Sequence, residues 1–319
     1  MFQPLGISLS AAGKAVHLRV RRVRRESRQI FTPSSRPSAY SFHTVFSSVI
    51  LRTLPGLMVF LSNLSTLALA QSTYLGFDRN EYPGDANLGI LRQTFTFSGY
   101  WLNTPPGAKT NTWTGRRAKL QAAGFGFLVL FNGRLYRELK HDAAALGQSD
   151  GVAAVAAARR EGFPAHTVIF LDIEEGGRML PEQKAYIYSW VDAVKASGFR
   201  AGVYCSGIPA KEGKVSIVTA DDIRQSAGGR AIVLFVTNDV CPPSPGCAYA
   251  RKAPAPAGSG VDFAEVWQYA QSPKRKSFAA KCPANYNVDG NCYPPGGDPA
   301  LKLPVDVETA SSADPSDGK

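Results

Sequence analysis

The sequence predicts an α/β fold: a single (β/α)8 barrel of the TIM type, irregular towards its end. Eight short apolar segments recur between residues 74 and 289, and most are separated by stretches of helical character. Such alternation implies a parallel sheet joined by helical crossovers, and eight repeats in this length suit a closed barrel. In residues 167–175, Thr-Val-Ile-Phe-Leu-Asp-Ile-Glu-Glu, five apolar or β-branched residues run straight into three carboxylates, and the apolar run is that of a strand buried on both faces. An open doubly wound sheet is the competing arrangement. Against its nucleotide-binding forms, the first strand lacks a Gly-x-Gly-x-x-Gly turn and no Walker phosphate loop occurs.

The elements follow in order. Residues 74–78 (Tyr-Leu-Gly-Phe-Asp) read as a short strand ending in a carboxylate, and residues 79–85 as a polar loop with turn residues. A second strand is expected over 94–102, ending in Tyr100 and Trp101, and a helix over 114–123 stopped by Gly124. The third strand covers 126–131. Ser149-Asp150 is expected to cap an Ala-rich helix running through Arg160, with Gly162 at its end. The 167–175 stretch is the fourth strand. Pro181 starts a helix through Ser197, on which Tyr186, Trp190 and Val194 recur at the spacing of one buried face. Strands five to eight are expected at 200–204, 231–237, 264–269 and 286–289, with a short helix at 220–226. Residues from 294 onward are rich in Pro, Ser, Asp and Gly and read as a disordered tail.

Of the 319 residues, 44% are hydrophobic, enough for a sizeable core. The formal net charge of +11 is unevenly placed. Residues 1–70 hold nine Lys/Arg against one acid, which leaves a net +3 on the remaining 249. That near balance argues against a nucleic-acid partner. An apolar segment at 54–67 follows Arg52 and precedes Ala68-Leu69-Ala70, the order of a secretory signal. It is short and interrupted by Asn63, so no stable membrane span is expected after cleavage. The preceding basic part is long, and Met58 is an alternative start; Arg21-Arg22 and Arg24-Arg25 lie far from the apolar segment for twin-arginine export. The expected domains are therefore a leader over 1–70, the barrel over 71–293 and the tail over 294–319, in a secreted or periplasmic monomer. All five Cys lie after the leader. Cys241 with Cys247, and Cys282 with Cys292, bracket two Pro-containing loops and suit disulfides in an oxidising compartment, while Cys205 reads as a buried thiol. Metal binding is the alternative for the cysteines, but there is no Cys-x-x-Cys or paired-His spacing and only four His, so no metal or cofactor is expected.

A barrel gathers the carboxyl ends of its strands around one mouth. Those ends carry Asp78, Asp172 with Glu174, Tyr204, Trp267 with Tyr269, and Asp289. Strands one and eight are neighbours in a closed barrel, so Asp78 and Asp289 are expected together, facing Asp172 and Glu174. Several carboxyls in one pit raise one another's pKa, which lets one remain protonated as a general acid. Trp101, Trp267, Tyr204 and Tyr269 offer flat faces for sugar rings, whereas Tyr100 is better explained by packing.

Gly-Phe-Asp on the first strand, Phe-Leu-Asp-Ile-Glu on the fourth, Gly-Val-Tyr on the fifth, Val-Trp-Gln-Tyr on the seventh and Asn-Val-Asp on the eighth resemble family 25 glycoside hydrolases, the Chalaropsis-type lysozymes. The set is closer still to their relative, the glycoside-hydrolase-like domain of unknown function, family 1906, which is often exported. The resemblance spans roughly residues 73–292. It implies a barrel acting on peptidoglycan or a related polysaccharide, with Glu174 as catalytic acid, Asp172 assisting it, and Asp78 and Asp289 lining the cleft. A catalytically inactive, glycan-binding barrel is the alternative it leaves. The chain departs from the lysozymes in carrying Glu175-Gly176-Gly177 after the acid pair and Asp78-Arg79-Asn80 where they carry Asp-x-Ser.

Overall fold

The computed structural model describes residues 72–238, 253–270, 303 and 305–319. The leader, the four cysteines of the two loops and the expected eighth strand with Asp289 lie outside these residues.

Eight strands close into a barrel. In chain order they are β1 (Tyr74–Asp78), β2 (Phe97–Trp101), β3 (Gly126–Asn132), β4 (Val168–Asp172), β5 (Arg200–Ser206), β8 (Val233–Thr237), β9 (Val266–Ala270) and β10 (Asp306–Ala310). A two-stranded hairpin, β6 (Ala210–Glu212) with β7 (Val215–Ile217), is inserted after β5. Helices α1 (Leu88–Thr94), α2 (Arg117–Ala122), α3 (Ala143–Glu161), α4 (Pro181–Ala196) and α5 (Thr219–Ser226) form the crossovers of the first five barrel strands. Strands β1 to β5, β8 and β9 run parallel around the barrel. The last strand does not. β10 lies between β9 and β1 and is antiparallel to both, a pairing that needs no crossover helix.

The expected barrel is therefore present, with corrections in its parts. The segment read as a disordered tail supplies the closing strand. Its Val305-Asp306-Val307-Glu308-Thr309-Ala310 alternates in strand fashion, and Val307 and Ala310 are fully buried. The second strand begins at Phe97, because the preceding residues through Thr94 belong to α1. Ser149 and Asp150 lie inside α3, which starts at Ala143. Asp150 instead receives two bonds from Arg134, at 2.6 and 2.9 Å, and one from the Tyr186 hydroxyl at 2.9 Å. Gly162 does end α3, at φ 81° in the left-handed region that suits glycine.

The continuous apolar strands are buried on both faces, as their composition demands. β4 is buried along its whole length, with lumen and helical layer on either side. Tyr186, Trp190 and Val194 are fully buried on α4. Large rings fill the lumen where a facing strand is small. A Cβ on Gly76 would collide with the Phe97 ring, and one on Gly202 with the Phe170 ring. Cys205 is a buried free thiol, pushed up to about 12 by burial.

Candidate active site at the barrel mouth

β4 carries its apolar run to Asp172 and then leaves the sheet; the Ile173 N–H bonds the Tyr204 carbonyl at 3.0 Å. The two acids of the Asp-x-Glu motif therefore occupy different levels. Asp172 is 4% exposed and stands opposite Tyr204 in the β4–β5 register. Glu174 is exposed at the rim and has no ion-pair partner among the described residues. The neighbouring Glu175 is spent on structure: it accepts from the Tyr136 N–H at 2.7 Å and from Gln183 Nε2 at 2.9 Å, which anchors the loop that presents Glu174.

Deeper in the mouth a polar floor spans β1, β5, β9 and β10. In register, Asp78 pairs with Asp306 and Gly76 with Glu308, while Glu308 pairs across β9 with Gln268. An antiparallel strand presents its first residues where parallel neighbours present their last, so β10 delivers Asp306 and Glu308 to the mouth. The Tyr204 hydroxyl donates to Gln268 Oε1 at 2.8 Å. That fixes the amide so that Nε2 donates to Asp78 Oδ2 at 3.1 Å and Glu308 Oε1 at 3.4 Å. A side chain at position 99 would crowd the Cβ of Asp78, so Gly99 on β2 lets this carboxyl stand in the lumen.

Burial dominates the electrostatics. It pushes the Asp78 carboxyl up to about 8, helped by the charges of Asp306 and Glu174, while hydrogen bonds from Glu308 and Gln268 pull the other way. Glu308, fully buried, is pushed well above the carboxylate range by desolvation and then by Asp78 and Asp306. The Tyr204 hydroxyl is raised by burial, then by Asp172 and Glu174, and stays a donor. The couplings run from Asp78 to Asp306, Glu174 and Glu308, and from Tyr204 to Asp172, Glu174 and Asp78.

A pH prediction follows. A carboxyl whose folded pKa is raised retains a proton that the unfolded chain releases. For Asp78 the associated stability is full below about pH 4 and is lost as pH climbs through about 8. The slope is at most about 1.4 kcal/mol per pH unit for each proton so retained. Thermal melts from pH 4 to 9 should show falling stability across that window, and Asp78→Asn should lessen the slope. An unchanged slope in the variant would refute the assignment.

The other predicted residues divide. Trp101 shares its strand face with Gly99, and its Nε1 donates to the Arg79 carbonyl at 3.2 Å. Trp267 and Tyr269 alternate with Gln268 and so face away from the floor. Trp267 lies against Gly258, its Nε1 bonded to the Asn238 carbonyl at 3.0 Å, and its ring meets Tyr269 at 5.5 Å between centroids. Tyr100 faces the helical layer, where its hydroxyl donates to Glu161 and its ring packs edge-on to Trp113 and Phe163. The Arg79 guanidinium lies 4.0 Å from Glu81. Sequence reasoning missed Gln268, Asp306 and Glu308. Period-two alternation was the available signal for each, because it separates Gln268 from its aromatic neighbours and gives 305–310 the pattern of a strand.

Residues 99–220 match the family model of the Rv2525c-like, glycoside hydrolase-like domain. The match runs from β2 into α5 and includes Asp172, Glu174 and Tyr204. No curated protein matches the chain. Among solved structures, an uncharacterized protein of B. stearothermophilus is 18% identical, with a TM-score of 0.46 over 74% of this chain and 95% of that one. The Tat-secreted protein Rv2525c of Mycobacterium tuberculosis, in complex with HEPES, is 12% identical, with a TM-score of 0.44 over 75% and 95%. The catalytic domain of endolysin ply40, from a bacteriophage of Listeria monocytogenes, is 15% identical, with a TM-score of 0.43 over 78% and 100%.

Proposed function

We propose that this chain, which carries an Rv2525c-like, glycoside hydrolase-like domain over residues 99–220, is an exported glycosidase that cleaves peptidoglycan or a related cell-wall polysaccharide. The observation that carries the reading is the division of labour at the mouth. An exposed carboxyl, Glu174, stands over a buried set of Asp172, Asp78 and hydroxyl-donating Tyr204. Hydrolysis of a glycosidic bond needs a proton for the leaving oxygen and negative charge near the anomeric carbon. Glu174 delivers the proton from the rim. Asp172, buried at the end of β4 two residues earlier, stabilises the positive charge that develops on the sugar, and the Tyr204 and Gln268 dipoles hold the floor in place.

Export is supported by the basic, apolar and small-residue order of residues 52–70 and by the placement of all five cysteines after it. No helix of the described residues is long and apolar enough to cross a membrane. The test is direct. The purified protein is incubated with peptidoglycan and new reducing ends are measured alongside pull-down of the insoluble polymer. Release above a heat-denatured control supports the glycosidase. Sedimentation with the polymer and no release over days would replace it with a glycan-binding barrel.

A further inference from the structure

Glu308 is the most deeply buried acid at the mouth: its side chain has no solvent exposure. One oxygen, Oε1, receives the Gln268 amide at a long 3.4 Å, while Oε2 has no donor directed at it among the described residues. An ionised carboxylate is acceptor-only, with room for about four hydrogen bonds, and burying one with a single weak donor is strongly unfavourable. Among the described residues, the charged groups that act on it, Asp78 on β1 and Asp306 on β10, are both acids and offer no relief. Gln268 cannot turn to supply a second donor, because its oxygen is held by the Tyr204 hydroxyl at 2.8 Å and its nitrogen also serves Asp78 at 3.1 Å. A proton on Glu308 resolves the arrangement. It converts an unmatched acceptor into a donor, and a carboxyl oxygen of Asp78 lies within its reach.

We propose that Glu308 is a positioning residue that stays a neutral carboxylic acid at neutral pH and donates a hydrogen bond to Asp78, leaving Asp78 as the floor carboxyl that titrates. Its part in catalysis rests on the glycosidase reading; the bond and its direction do not. The bond favours ionisation of Asp78 as the pH climbs towards about 8, without adding a second negative charge to the floor.

The direction of a shift tests this without any activity assay. Side-chain carboxyl NMR of the full chain, with the Asp78 signal assigned by its loss in Asp78→Asn, gives the titration midpoint of Asp78. If Glu308 is a neutral donor, Glu308→Gln keeps a donor and leaves the midpoint within about half a pH unit, while Glu308→Met removes it and raises the midpoint by about one unit or more. If Glu308 is instead an anion, both substitutions remove a like charge and lower the midpoint, which overturns the proposal. Equal midpoints in all three proteins overturn it as well. Should the methionine variant fail to fold, the glutamine variant alone separates a held midpoint from a lowered one. Because the readout is a titration, it can succeed even if the wild type proves to bind glycan without cutting it.

Discussion

Glu174→Gln is expected to reduce release of reducing ends from peptidoglycan by about 100- to 10,000-fold, the usual worth of a positioned general acid, while glycan binding survives. Glutamine keeps the size and the hydrogen-bonding reach of the side chain but has no acidic proton to give. Glu174 is exposed and has no ion-pair partner among the described residues, so the substitution should cost within about 0.5 kcal/mol of stability. Loss of activity can then be read as loss of chemistry. Asp172 offers no such clean test. It is 4% exposed in the mouth, and changing it alters both the charge on the sugar and the packing beneath. Retained activity in Glu174→Gln, together with its loss in Asp78→Asn, would move the acid from the rim to the floor and sink the proposed roles.

The strands that position these acids were legible because burial on two faces leaves no choice of residue. Gly126–Asn132 and Val168–Asp172 are apolar almost throughout, and only a sheet covered on both sides uses such runs. Asp78 and Asp172 stood out because each interrupts such a run at its end. What failed was local reasoning at places settled by tertiary contact. The cap-like Ser149-Asp150 drew the predicted start of α3 past Gly147 and up to Gly151, inside the helix. In the fold these glycines let the α4 backbone come close, so that a Cβ at Gly147 would meet the Tyr186 carbonyl. Asp150 resembled a cap but is matched to Arg134 and Tyr186. α1 was hidden because its last residue, Thr94, opens the Thr-Phe-Thr-Phe alternation that leads into β2. At β10, composition outweighed alternation, and with it went Glu308, the most deeply buried acid of the mouth.

Removal of residues 311–319 is expected to abolish stable folding, although these residues lie at the end of the barrel opposite the acids. After β10 the chain passes under the first residues of β3, β4 and β5. Asp314 Oδ1 accepts the Phe127 N–H at 2.7 Å and Ser316 Oγ accepts the Val129 N–H at 2.8 Å. The Ser316 backbone bridges two strands, accepting from Val168 at 2.8 Å and donating to Phe127 at 2.9 Å. Arg117 bonds the Gly318 carbonyl at 2.7 Å, and Arg200 pairs with Asp317 at 2.7 Å. The exposed Arg200–Asp317 pair contributes little. The strand N–H groups matter more, since each left unmatched at a buried position costs about 1–3 kcal/mol. Three such losses, at Phe127, Val129 and Val168, with the Phe127 and Phe163 rings uncovered where Gly318 now packs, consume much of the roughly 5–15 kcal/mol that holds a domain together. Ser316→Ala isolates one of these bonds. It should cost about 1–3 kcal/mol, a fall in Tm of about 2–4 °C per kcal/mol for a chain of this size. A truncated protein that melts within a few degrees of the full chain would show that the barrel closes without this segment.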